Sequence, residues 1–148
     1  MASEAEENVK TLEMLSAVRT GDPYKLQTVL NGNWNWETRY GPPLLVAAYF
    51  GPPSIVRFLL ENGANVNCQN KEGDTPLHKA ALTGRADIVG ILMKQPDIDF
   101  TLENKEGFTP LDVAKNNEVA ALIEGLLKRF FLITFRKNER KKKKKKRK

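Results

Sequence analysis

The chain has 148 residues, the length of one ordinary domain or a short repeat array, and its 41% hydrophobic residues can build a packed core but not a membrane-embedded protein. Its formal charge of +6 is divided unevenly: residues 1–127 carry 11 basic and 17 acidic side chains, net −6, whereas residues 128–148 carry 13 basic side chains against Glu139 alone, net +12. That partition excludes a basic, nucleic-acid-binding folded domain, because the whole positive balance lies in the tail.

In chain order, Ser3-x-x-Glu6 has capping-box spacing and predicts a first helix whose Glu6, Glu7, Lys10 and Glu13 face water. Ala17-Val18, Gly21, Leu26 and Val29-Leu30 then read as helix, turn and helix. Trp34 and Trp36 alternate in an extended link that would turn both indoles to one side; packing is the expected role and partner binding the alternative. Gly41-Pro42-Pro43-Leu44-Leu45 opens a second pair of helices. Cys68 follows in the next link as an unreactive thiol, since nothing near it in sequence lowers its pKa. Thr75 is the N-cap and Pro76 the first-turn residue of the next helix, where a missing N–H costs nothing. Gly63 and Gly84 stand where helices stop and positive φ is needed, and Val89, Leu92 and Met93 form an inward stripe. Thr109-Pro110-Leu111 opens a last pair with polar Asp112 and Asn116-Asn117-Glu118, as suits a terminal repeat.

These elements repeat. Shifted by 33 positions, Pro43-Leu44 falls on Pro76-Leu77, Ala47-Ala48 on Ala80-Ala81, Gly51 on Gly84 and Ile55-Val56 on Ile88-Val89. Shifted by 34, Gly107, Thr109-Pro110-Leu111, Ala114, Ile123 and Leu126-Leu127 meet the same frame. A period near 33 carrying Thr75-Pro76-Leu77-His78 and Leu59-Leu60-x-x-Gly63-Ala64 resembles the ankyrin repeat. The resemblance implies an all-α solenoid of about four stacked helix pairs over residues 1–127, with repeats near 10–36, 37–69, 70–103 and 104–127. It implies a non-enzymatic module without cofactor that binds another protein. Ala47–Gly51 and Gly73–Arg85 are further similar to the N-terminal ankyrin segment of long oxysterol-binding-protein-related proteins. That likeness implies a partner on endosomal membranes, with a peripheral membrane or lipid-trafficking role as the alternative. This sequence holds neither a pleckstrin-homology nor a sterol-binding domain, so lipid transfer by it is not implied.

Within the family frame, His78 resembles the imidazole that hydrogen-bonds backbone between neighbouring repeats, and Thr75, Pro76, His78 and Gly84 form the structural turn. A catalytic His78 is the alternative. The second copy has Pro42 and Leu45 in place of Thr and His, and so loses the stitching. The family binds partners through loop tips and the exposed ends of first helices. Here the tips are Arg39-Tyr40, Lys71-Glu72-Asp74 and Lys105-Glu106-Phe108, and the helix ends are Tyr49-Phe50, Leu82-Thr83 and Asn116-Asn117. Tyr40, Tyr49, Phe50, Leu82 and Phe108 would stack as an apolar ladder flanked by charge, the composition of a binding hot spot. In the alternative, Tyr49 and Phe50 fill gaps left by the missing Thr and His.

A single His and a single Cys cannot form a His/Cys metal cluster, and the chain has no Gly-rich phosphate loop, no Gly-x-Ser-x-Gly elbow and no His-Glu-x-x-His. The acidic opening residues read as no secretory signal and the lone cysteine fits a reducing compartment, so a cytoplasmic address is expected, with endosomal association or the nucleus as alternatives. Three readings stay open for Phe130–Phe135 and the lysine run: a nuclear or nucleic-acid patch, a polybasic anchor on anionic membrane, or read-through of A/T-rich sequence. In each, Lys137–Lys148 is expected to be disordered, because its like charges repel and have nothing to bury.

Overall fold

The computed structural model describes residues 3–146. Its seven helices are α1 (Glu4–Thr20), α2 (Pro23–Leu30), α3 (Pro43–Phe50), α4 (Pro53–Glu61), α5 (Pro76–Leu82), α6 (Ala86–Met93) and α7 (Asn117–Lys146). Among the described residues there is no β-strand. Helices pair as α1/α2, α3/α4 and α5/α6; α1, α3 and α5 stack side by side in one layer, while α4, α6 and α7 pack in the other. The expected all-α stack of helix pairs is therefore the fold.

Helices α1, α2, α5 and α7 start where the sequence supplies a side-chain cap. Ser3 accepts from the Glu6 N–H at 3.2 Å and the Glu6 carboxylate accepts from the Ser3 N–H at 3.0 Å, completing the capping box of α1. Asp22 caps α2 and Thr75 caps α5. Helices α3, α4 and α6 have no side-chain cap; in α3 and α4, Pro42-Pro43 and Pro52-Pro53 remove the first two N–H groups, and the Leu45 N–H bonds to the Pro42 carbonyl at 3.0 Å. The turn between α5 and α6 uses Gly84 at φ +71°, as expected. The matching Gly51 is extended, at φ −77°, and is needed for space: a Cβ there would lie 2.9 Å from Val18 Cγ1 and 3.0 Å from the Ala47 backbone. The apolar stripes meet between the layers, with Met14, Leu26, Leu44, Leu59, Leu77 and Ile88 fully enclosed.

Two expectations need correction. The first helix of the fourth pair is only a turn over residues 110–113. The Asp112 carboxylate accepts from the Thr109 N–H at 2.8 Å, and the Lys115 N–H then turns away to the Ala81 carbonyl at 2.9 Å, so the chain caps α5 instead of continuing its own helix. The lysine run through Lys146 is the end of α7 and not a disordered tail; Arg147 and Lys148 lie outside the described residues. The packed turns around Val119 and Ile123 nucleate this helix, after which each added residue gains one backbone hydrogen bond, and lysine and arginine are good helix formers. Mutual repulsion of their extended side chains does not overcome that gain.

Candidate functional site

Helices α1 and α3, with the two loop tips beyond them, enclose a groove of about 760 Å³. On α1, Thr11, Met14, Ala17 and Val18 turn inward, so Leu12, Leu15 and Arg19 at the remaining helical spacing form one wall. On α3, buried Leu45 and Val46 make the floor, and Tyr49 and Phe50 stand half-exposed at the helix end. Arg39, Tyr40 and Glu72 from the tips close the far side.

Aromatic geometry and charge are arranged together. Tyr49 and Phe50 meet edge to face with centroids 6.2 Å apart. Arg19 lies 5.8 Å from the Phe50 centroid and Arg39 lies 5.5 Å from that of Tyr40, so two guanidinium groups sit over ring faces. Arg39 also donates to the Asn8 side chain, tying its tip to α1. Lys79, at the groove edge, is held by Asp74 at 2.9 Å. Burial works against ionisation of Asp74, but hydrogen bonds from Lys79 and Asn104, with the Lys79 charge, outweigh it and hold the carboxyl below its ordinary range.

The expected binding residues divide. Arg39, Tyr40, Tyr49, Phe50 and Glu72 line the groove. Lys71, Leu82, Lys105, Glu106 and Phe108 are exposed farther along the same series of tips and helix ends, outside it. Thr83 and Asp74 have structural bonds instead: the Thr83 hydroxyl donates back to the Lys79 carbonyl at 2.7 Å, and Asp74 accepts from Lys79 and Asn104. Tyr49 and Phe50 are 49% and 37% exposed, so they do not fill the gap left by the missing Thr and His; Leu45 itself fills it, at 2% exposure. The α1 wall was missed. Its signal was available in Leu12-x-x-Leu15-x-x-x-Arg19, the uncovered stripe opposite the buried one.

The turn residues Thr75 and His78 are hydrogen-bonded to each other and to the next repeat. His78 Nδ1 accepts from the Thr75 N–H at 3.1 Å, and Nε2 donates to the Phe108 carbonyl of the next repeat at 2.8 Å. With both nitrogens occupied and 1% of the residue exposed, this imidazole has no free lone pair for chemistry. Asn35, Asn67 and Asn104 add a second seam: Asn35 accepts from the Asn65 N–H, Asn67 accepts from the Asp99 N–H and donates to Asp97, and Asn104 donates to Asp74. Trp34 packs edge to face on Phe58, and Trp36 lies under Lys10, so the two indoles meet different neighbours and both pack against the core. Cys68 is buried, and burial followed by the Glu37 charge pushes its thiol up to about 12, far from any reactive thiolate. Among the described residues no cluster of three or more His, Cys, Asp or Glu is placed to hold a metal ion.

A family model described as ankyrin repeats (3 copies) matches residues 44–134. Human Rabankyrin-5 is 42% identical over 103 residues, 67% of this chain and 9% of its own length. The Saccharomyces cerevisiae oxysterol-binding protein homolog 2 is 37% identical over a shorter 70 residues, 47% of this chain and 6% of its own. The resemblance to oxysterol-binding-protein-related chains is thus one likeness within a wider family and does not single out that branch. The crystal structure of the ankyrin repeat domain of Bcl-3, described as a unique member of the IkappaB protein family, superposes with a TM-score of 0.65 at 30% identity, covering 75% of this chain and 50% of that one. The chain spans less than a tenth of the length of these curated relatives. From residue 44 on, the repeated helix pairs, their stitched turns and the matching family model agree: the chain belongs to the ankyrin-repeat family.

Proposed function

We propose that the chain is a protein-binding module that holds a segment of a partner protein in the groove between α1, α3 and the tips that carry Arg39-Tyr40 and Glu72. The observation that carries this reading is the groove itself, where Leu12, Tyr40, Tyr49 and Phe50 stay 37–61% exposed around a buried apolar floor. Large apolar side chains left uncovered in one concave place mark an interaction site. Arg19 and Arg39 line the groove against one acid, Glu72, so the fitting segment offers aliphatic or aromatic anchors flanked by acidic side chains. Leu82 and Phe108 extend the surface along the stack for a longer partner.

Replacing Tyr49, Phe50 and Leu82 by alanine tests it. A hot spot of this kind contributes about 2 kcal/mol or more, so partners retained by the unaltered chain should be lost. Tyr24→Ala is the control, because Tyr24 is 81% exposed on α2 and outside the groove. Equal capture by both variants would remove the groove from the account.

A second reading has one observation behind it, the likeness to the yeast oxysterol-binding protein homolog. In it the module belongs to a lipid-trafficking chain and its groove partner resides on endosomal membranes. Identification of the captured partner separates the two.

A further inference from the structure

Past Leu127, α7 leaves the repeat stack and carries six consecutive uncharged residues, Phe130–Phe135, before its basic run. They fall on two sides of the helix. Phe130 lies on the side of Val119 and Ile123 and meets Phe100 edge to face at 6.0 Å, while it and Ile133 stay 59% and 55% exposed. Phe131, Leu132 and Phe135 fall on the opposite side of the helix and are 75%, 57% and 63% exposed. By the same helical spacing, Lys128 precedes them on that side and Lys142 and Lys146 follow. Glu139, the acid there, is within 4.0 Å of Lys142.

We propose that this side of α7 docks on the surface of an anionic lipid bilayer, with the helix lying flat in the interface. An apolar patch bracketed along the axis by cations fits the boundary between acyl chains and phosphate headgroups, into which such helices sink about 5–10 Å. Residues 128–146 supply 11 basic side chains against one acid, so the attraction to anionic lipid is strong. No described helix is long and apolar enough to cross a membrane, so the contact lies on the bilayer. A second copy of α7 is disfavoured by the same charge. Nucleic acid would meet the lysines but leave Leu132 and the outward phenylalanines uncovered.

The full chain is sedimented with vesicles of phosphatidylcholine alone and of equal parts phosphatidylcholine and phosphatidylserine. It should pellet with the second and stay in solution with the first. Phe131→Gln/Leu132→Gln/Phe135→Gln keeps good helix formers at exposed positions, and its helix content is checked by circular dichroism. Its partition should fall by at least about tenfold, since three apolar side chains no longer enter the interface. Tyr49→Ala/Phe50→Ala should bind vesicles unchanged, which separates this surface from the groove. Failure of the unaltered chain to pellet with phosphatidylserine overturns the proposal. So does undiminished vesicle binding by the triple variant, particularly if poly(U) competes it away, because the lysines would then be a general polyanion site.

Discussion

The second and third repeats place their first helices side by side, α3 against α5, by different chemistry. In the third, Thr75 and His78 cap the helix, the imidazole reaches Phe108 in the next repeat, and Asp74 joins Lys79 and Asn104. In the second, Pro42 and Leu45 stand at the Thr and His positions, the cap is absent, and Pro43–Ala48 are all buried. One repeat satisfies its polar groups and the other removes them. The burial follows from position, because α3 is packed between α1, α4 and α5. The two are also not independent: Arg85 of the third repeat donates to the Ala47 and Ala48 carbonyls at 3.2 Å and to Gly51, closing the C-terminal end of α3. The apolar repeat borrows its polar satisfaction from its neighbour.

The sharpest way to break the comparison is to move the third repeat halfway to the second. His78→Leu leaves the Thr75 N–H and hydroxyl without their ring partner and the Phe108 carbonyl without its donor, which should cost about 3 kcal/mol in urea unfolding. Thr75→Pro/His78→Leu, which copies Pro42 and Leu45, also deletes the stranded donors and should recover roughly 1 kcal/mol. A double variant less stable than the single one would mean that the apolar solution works only in its own surroundings.

Arg85→Ala is next in size. It removes a donor from three carbonyls, of which Ala47 keeps the Gly51 N–H, and should destabilise the chain by about 1–2 kcal/mol, with hydrogen exchange accelerated in α3 although the mutated residue belongs to the third repeat. Acceleration confined to α6, which Arg85 precedes, would deny the loan. In the unaltered chain, amides of Leu44–Ala48 should already exchange before those of Leu77–Ala81, by roughly 1 kcal/mol of opening free energy, because α3 has no side-chain cap. Equal or greater protection in α3 would show that burial and Arg85 together replace the missing stitching.

The repeated Pro-Leu, Ala-Ala and Leu-Leu positions made two helix pairs legible, α3/α4 and α5/α6, since each of those residues has a local reason to be there. Arg85 was not legible: its function depends on three carbonyls more than thirty residues earlier, and no spacing rule connects a guanidinium to them. The groove was half legible. Tyr40, Tyr49 and Phe50 follow from the repeat frame, whereas Leu12, Leu15 and Arg19 lie in the weaker first copy and emerge only from the side of α1 left uncovered. The fourth repeat reads as helix by pattern, but its Lys115 N–H bonds to the Ala81 carbonyl, so its chain is drawn into capping α5. The lysine run misled because composition was weighed without the packed helix that precedes it.

The smallest expected effect separates the two repeats by pH. Asp74 is an acid whose folded-state pKa lies below its ordinary 3.8, so its ionised form is favoured by folding. The associated stability is present above about pH 4 and is lost as pH falls through the lower, folded value, because protonation there releases Lys79 and Asn104. The corresponding place in the second repeat is Gly41, which cannot titrate. Acidification should therefore increase exchange in α5 relative to α3, and narrow the gap set by the cap. The carboxylate and Lys79 are partly reached by solvent, so screening limits the effect to below about 1 kcal/mol. Asp74→Asn keeps an acceptor for Asn104 and removes the titration, and it should flatten the acid limb of α5 exchange without moving that of α3. An acid limb that survives unchanged in Asp74→Asn would assign the pH dependence to another carboxylate, the Thr109-bound Asp112 being the first to examine, since its pKa is lowered as well by hydrogen bonds from the Thr109 backbone and side chain.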